Sequence, residues 1–171
     1  MSSIARPTTV AKSGFWDGNL GYAQAFVTVV TTMTVGLAFH AWVGYRWIGM
    51  LPIWVIAAVG LTPVLGLAVA ARLHPGQRFI KWLTGIPFAV TVCTVMALLA
   101  LAGGIVPASV WAEKFGLVSY WGSWPFLMTG YLMLLSLMGS CGRRIWPMTY
   151  TNFLYQINHI GLAVALIGGA Y

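Results

Sequence analysis

Four long stretches without an acidic side chain constrain this chain more than anything else in it: roughly Leu20–Tyr45, Ile48–Leu73, Leu83–Val106 and Trp124–Gly142. A hydrocarbon layer about 30 Å thick takes about 20 apolar residues in a helix, and each stretch meets that length. A fifth, Phe153–Tyr171, meets it when its polar opening of Gln156, Asn158 and His159 is included. Lipid offers the backbone no hydrogen bonds, so such segments are helical. With 60% hydrophobic and 6% charged residues, the chain also has too little polar surface to cover a water-soluble globule. The expectation is an all-α polytopic membrane bundle of about five transmembrane helices.

The cations give the bundle an orientation. Arg6 and Lys12 in the tail, Arg72, Arg78 and Lys81 after the second helix, and Arg143 and Arg144 after the fourth fall on one side, against Arg46 and Lys114 on the other. Cytoplasmic loops carry the excess of Lys and Arg, so the N-terminus is expected in the cytoplasm and the C-terminal end of the fifth helix outside. The net charge of +7 is scattered in ones and twos between apolar runs, which reads as a topology signal and not as a nucleic-acid surface. Trp and Tyr recur near the ends of the runs, where the headgroup zone favours amphipathic rings.

Three regions follow: residues 1–18 as a retained cytoplasmic tail, 19–82 as a two-helix hairpin with its cytoplasmic loop, and 83–171 as a three-helix membrane region. Arg46 and Trp47 leave only a short turn between the first two helices, which predicts an antiparallel pair. Pro52 is tolerated in a first helical turn, whereas Pro63 falls mid-helix and is expected to kink it. The aromatic loop Pro107–Ser123 is expected to lie along the outer interface. Gly161, Ala165 and Gly169, four apart, give the last helix a face on which another helix could pack closely.

Chemistry has few carriers. Asp17 and Glu113 both fall outside the apolar helices, so carboxylate-based proton relays and ion-coupling sites have no foundation. No catalytic triad, phosphate-cradling glycine loop or cysteine-rich metal motif is present, and Cys93 and Cys141 read as ordinary membrane-helix residues. Three histidines remain. His40 lies about 7 Å below the outer end of the first helix, where it could be hydrogen-bonded to a neighbouring helix or exposed at the interface. His74, followed by Pro75 and Gly76, reads as a turn residue at the cytoplasmic interface that could approach His159. His159 enters the last helix in the inner half of the membrane, where an ionisable group needs a partner or a function. An imidazole there is a suitable axial ligand for haem iron if its other ring nitrogen finds an acceptor such as a backbone carbonyl. Depth separates His40 from His159, which argues against their ligating one haem together.

The order of motifs from residue 88 onward resembles the membrane part of the ResB (also called CcsB) family of cytochrome c biogenesis proteins. The carriers are LLALAGGIVP at Leu98–Pro107, then Ser123-Trp124-Pro125-Phe126 leading through a Leu-rich run to Arg143 and Arg144, then Asn158-His159-Ile160-Gly161 continuing to Gly168-Gly169-Ala170-Tyr171. Pro125 stands where the family has a second Trp, and the first two helices have no counterpart in it. Family members continue past this helix into a large extracytoplasmic domain and a further membrane helix, so the chain is expected to be a truncated or split member, or a shorter relative put to another purpose. The resemblance implies haem b as cofactor, His159 as an intramembrane ligand, a CcsA-like membrane partner in the bacterial inner membrane, and apocytochrome c as the recipient of the haem. The Trp-rich haem-handling motif of that partner is not in this chain, so attachment chemistry is not assigned to it alone: the resemblance makes it at most part of a cytochrome c haem lyase, with no catalytic set of its own. Two other readings stay open: a small b-haem or quinone-interacting subunit of a membrane redox complex, using His40, His74 or His159, and a cofactor-free scaffold.

Overall fold

The computed structural model describes residues 15–16, 20–44, 53–118 and 122–169. Its order is α1 (Tyr22–Val43), α2 (Ile53–Leu73), α3 (Arg78–Leu83), α4 (Ile86–Ile105), α5 (Val110–Lys114), α6 (Trp124–Arg143) and α7 (Tyr150–Gly169), with no strand among the described residues. Almost all of the expected tail, the turn at Arg46 and Trp47, and Pro52 lie outside the described residues.

Three helices, α1, α4 and α6, are long and apolar enough to cross a membrane. This is narrower than the five expected from the sequence. The start of α2 lies outside the described side chains, which leaves Ala58–Leu73 as its described apolar length, and α7 is diluted by the polar residues of its first half. The outward surface suits lipid: Val59, Leu65, Val69, Leu98, Val164 and Ile167 are all exposed.

Local chemistry sets the helix ends. Gln24 accepts from the Gly21 N–H at 2.9 Å, closing the first turn of α1, and its amide donates to the Phe15 carbonyl. Pro87 occupies the first turn of α4, where a missing N–H is harmless, and the Thr149 hydroxyl accepts from the Asn152 N–H at the start of α7. Pro63 lies inside α2, whose helix continues through it, and the Tyr131 hydroxyl donates to the Gly60 carbonyl just before it at 3.1 Å. The loop after α4 contains α5, capped by Ser109, and Glu113 falls in this short helix rather than in plain loop. Similarly, Arg78 and Lys81 belong to α3 and not to an irregular cytoplasmic loop.

The organising element is α6, on which α1, α2, α4 and α7 all pack. Trp124 Nε1 donates to the Gly44 carbonyl at 3.1 Å, and Phe39 meets the Trp124 ring edge-on at 4.7 Å, so α1 ends where α6 begins. Tyr131 meets Gly60 and Gly142 meets Ala68, so α2 runs alongside α6 in the same direction. Thr84, just before α4, lies against Gly139 and Arg143, while Gln156 near the start of α7 donates to the Cys141 carbonyl at 2.9 Å, so both helices run opposite to α6. The first two helices are therefore antiparallel, yet they make at most marginal contact with each other among the described residues, because each packs on α6.

Close approach explains why α6 can hold so many neighbours. A Cβ on Gly142 would collide with the Ala68 carbonyl, and one on Gly36 of α1 would lie 2.7 Å from the Pro125 Cα. Backbone atoms cannot rotate away, so only glycine fits at either place. By contrast, a Cβ on Gly161 would meet nothing within 4 Å. Gly142→Ala is expected to cost about 1–3 kcal/mol through overpacking, while Gly161→Ala stays within about 0.5 kcal/mol of the wild type. Thermal unfolding of the two variants in one detergent checks this, and equal midpoints would contradict the α2–α6 contact.

Candidate functional site

The chemistry gathers at the end of the bundle where α6 finishes. Because α4 and α7 flank α6 with at most marginal contact between them, they leave a cavity of about 640 Å³ with α6 as its floor. That volume lies within the roughly 300–1,000 Å³ typical of ligand sites. Ile86, Ala89 and Cys93 line it from α4, and Met133, Ser136 and Leu137 from α6. Arg143, Arg144, Tyr155 and His159 complete the wall, so apolar sides meet a polar, cationic end.

His159 is held from its own helix. Its Nδ1 lies 2.9 Å from the Tyr155 carbonyl, one turn earlier, and the two rings stack with centroids 3.7 Å apart at 24°. A carbonyl oxygen can only accept, so this hydrogen bond puts a proton on Nδ1 and leaves the Nε2 lone pair of the neutral tautomer as the ring's remaining ligating atom. This is the acceptor that an iron-ligating imidazole requires. The Arg144 guanidinium lies 4.2 Å from the centroid of the Tyr155 ring, a cation–π distance, so Arg144, Tyr155 and His159 form one connected set.

Arg143 is fixed differently. The Thr84 hydroxyl donates to the Ile80 carbonyl at 2.7 Å and accepts from Arg143 Nη1 at 3.1 Å. Gly139 lets Thr84 come this close, since a Cβ there would lie 2.5 Å from the Thr84 methyl. Both arginines were legible in the sequence as topology markers, but their place beside His159 was not. Tyr155 was missed as well, although its spacing of four before His159 puts the two on one helix face.

The other two histidines lie elsewhere. His40, 2% exposed, sits under the loop that carries α5: a Cβ on Gly116 would lie 3.0 Å from its ring and 2.6 Å from the Ser123 side chain, and the Glu113 backbone hydrogen-bonds it. Ser123 and Arg143 bracket α6, whose 20 residues span about 30 Å, so His40 and His159 are at opposite ends of the bundle. His74 is exposed in the turn after α2, where its N–H donates to the Ala70 carbonyl and its carbonyl accepts from Gln77, and it does not line the His159 cavity. Gly161 and Ala165 are exposed on α7, as a packing face for another helix would be, while the Gly169 side of that face lies outside the described side chains.

A second cavity of about 460 Å³ lies among Leu20, Leu67, Trp82, Phe88 and Leu132, with Thr28 as its polar residue. The Thr28 hydroxyl already donates to the Gln24 carbonyl, which leaves this space little to recognise but hydrocarbon. Among the described residues, no three of His, Cys, Asp and Glu come together to bind a bare metal ion.

In comparisons with known proteins, no family model, no curated protein and no solved structure matches this chain. The ring placement and the cavity therefore carry the functional argument. Cys93 faces the cavity and is exposed, whereas Cys141 is 5% exposed beneath α7. A small maleimide is expected to modify Cys93 on the folded chain and to reach Cys141 only after unfolding. Mass spectrometry of the labelled peptides reads the result, and protection of Cys93 would mean that the space between α4 and α7 is closed.

Proposed function

We propose that this chain is a haem-handling membrane subunit of a cytochrome c biogenesis complex, related to the ResB family and working with a CcsA-like partner in the bacterial inner membrane. The observation that carries the reading is His159: its Nδ1 is held by the Tyr155 carbonyl, its Nε2 is left to ligate, and it lines a cavity with apolar sides and a cationic end. Those features suit haem b, whose ring is apolar and whose edge carries two carboxylates. Motif order in the sequence from Leu98 to Tyr171 gives the reading its family.

Haem supplies the iron and the vinyl groups that a cytochrome c later holds. This chain's own residues bind and orient. Tyr155 fixes the imidazole plane, α6 forms the floor, and Ile86, Ala89 and Leu137 exclude water from the faces of a planar guest. Neither His40 nor His74 shares the cavity, so a second imidazole would come from the partner.

Five crossings with a cytoplasmic N-terminus belong to the same proposal. The antiparallel runs of α1, α4 and α7 against α2 and α6, with Arg72, Arg78, Lys81, Arg143 and Arg144 gathered at one end, support it. Reporter fusions after Arg78 and after Arg144 are expected to read cytoplasmic and one after Lys114 periplasmic; the reverse pattern would overturn the orientation.

Purification of the chain with its partner is expected to give a haem absorbance band that His159→Ala removes and His74→Ala leaves in place. Cytochrome c maturation should fail with His159→Ala. A haem-free complex, or normal maturation with His159→Ala, would overturn the proposal. A reversible haem b spectrum together with normal maturation in the absence of the chain would assign it instead to a membrane redox complex.

A further inference from the structure

We infer that Arg143 and Arg144 form the carboxylate-binding end of this cavity, holding the acidic edge of the guest toward the cytoplasmic end of the bundle. This rests on the haem reading of His159 and specifies how the ligand is turned. Arg143, half-buried, and Arg144, exposed, both line the polar end of the cavity, where their guanidinium groups can give charge-assisted hydrogen bonds to an anion. Among the described residues their partners supply none: Arg143 donates to the neutral hydroxyl of Thr84, and Arg144 lies over the neutral ring of Tyr155. The carboxylate side chain among the described residues, Glu113, is at the other end of the molecule, with His40.

The arrangement also has a direction. Tyr155 precedes His159 by one turn and the two rings stack 3.7 Å apart, so the imidazole lies one ring further along α7 from the guanidinium of Arg144, which covers Tyr155. A planar ligand held through its centre by His159 thus presents one edge to the arginines, and a carboxylated edge is the one they select. Thr84 acts as a positioning residue, because its hydroxyl is itself fixed on the Ile80 carbonyl and so fixes Arg143.

The test is equilibrium binding of ferric haem and of its dimethyl ester, in which both carboxylates are masked, to the full chain in nanodiscs of a zwitterionic lipid. Tryptophan quenching gives the affinity and the Soret band reports ligation. A charge-assisted hydrogen bond contributes enough that wild type should prefer the free acid by roughly tenfold to a hundredfold. Arg143→Gln should narrow the preference, the Arg143→Gln/Arg144→Gln double variant should bind both forms alike, near the affinity of the ester, and Thr84→Val should narrow the preference while the Soret position stays unchanged. Equal binding of acid and ester by wild type, with a Soret band that still depends on His159, would overturn the carboxylate assignment and leave the haem reading standing. Retention of the full preference by a folded Arg143→Gln/Arg144→Gln double variant would do the same. If neither form binds, or His159→Ala binds both unchanged, the haem reading fails and this inference fails with it.

Discussion

Everything in this molecule depends on how closely other backbones approach α6. Lipid is as apolar as leucine, so helices in a membrane gain little from hiding hydrocarbon from each other and associate through shape and hydrogen bonds. At Gly142 the backbone of α6 touches that of α2, and at Pro125 it touches Gly36 of α1. Gly139 admits Thr84 and with it the start of α4. With three neighbours drawn in so tightly, α4 and α7 end up on either side of α6 without closing on each other. The cavity is what remains between them.

Polar groups in the apolar helices are mostly settled locally. Thr32, Thr62, Thr91, Thr94 and Thr129 each donate to the carbonyl four residues earlier, so these hydroxyls spend no bonds between helices. Apart from Trp82 of α3, which donates to the Gly21 carbonyl just before α1, the exceptions that join elements are Trp124 to Gly44, Tyr131 to Gly60, Gln156 to Cys141 and Arg143 to Thr84. Three of these four involve α6 directly through a side chain, and the other accepts at its Cys141 carbonyl. Two lie around the cavity mouth, so the same bonds that dock α7 and the start of α4 also set the place of Arg143 and Tyr155.

Hydropathy alone located α1, α4 and α6 to within a few residues, because an uninterrupted apolar run of about 20 residues has few other structures open to it. Hydropathy also found the helices α2 and α7, of 21 and 20 residues, while their crossing of a membrane rests on the sequence reading, since the start of α2 lies outside the described side chains and Gln156, Asn158 and His159 dilute α7. It overlooked α3, where Trp82 and Leu83 are buried although Arg78 and Lys81 mark the segment as loop. The antiparallel sense of the first two helices was legible from the short turn, but the insertion of α6 against both was not, since it depends on glycine contacts between residues some 70 or more apart in sequence. For the site, the sequence singled out His159 and the need for a carbonyl acceptor. Tyr155 reaches it by helical spacing within α7, whereas Arg143 and Arg144, at the end of α6 and just after it, are brought to it only by packing.

The central claim is that His159, oriented by Tyr155, is this chain's ligand to haem iron. Pulsed electron paramagnetic resonance of the ferric haem complex, with histidine nitrogen labelled as ¹⁵N in this chain alone, tests it most directly. The account predicts a hyperfine coupling to one histidine nitrogen that vanishes in His159→Ala and persists in His40→Ala and in His74→Ala. A coupling that survives His159→Ala, or that disappears with His40→Ala, would contradict it.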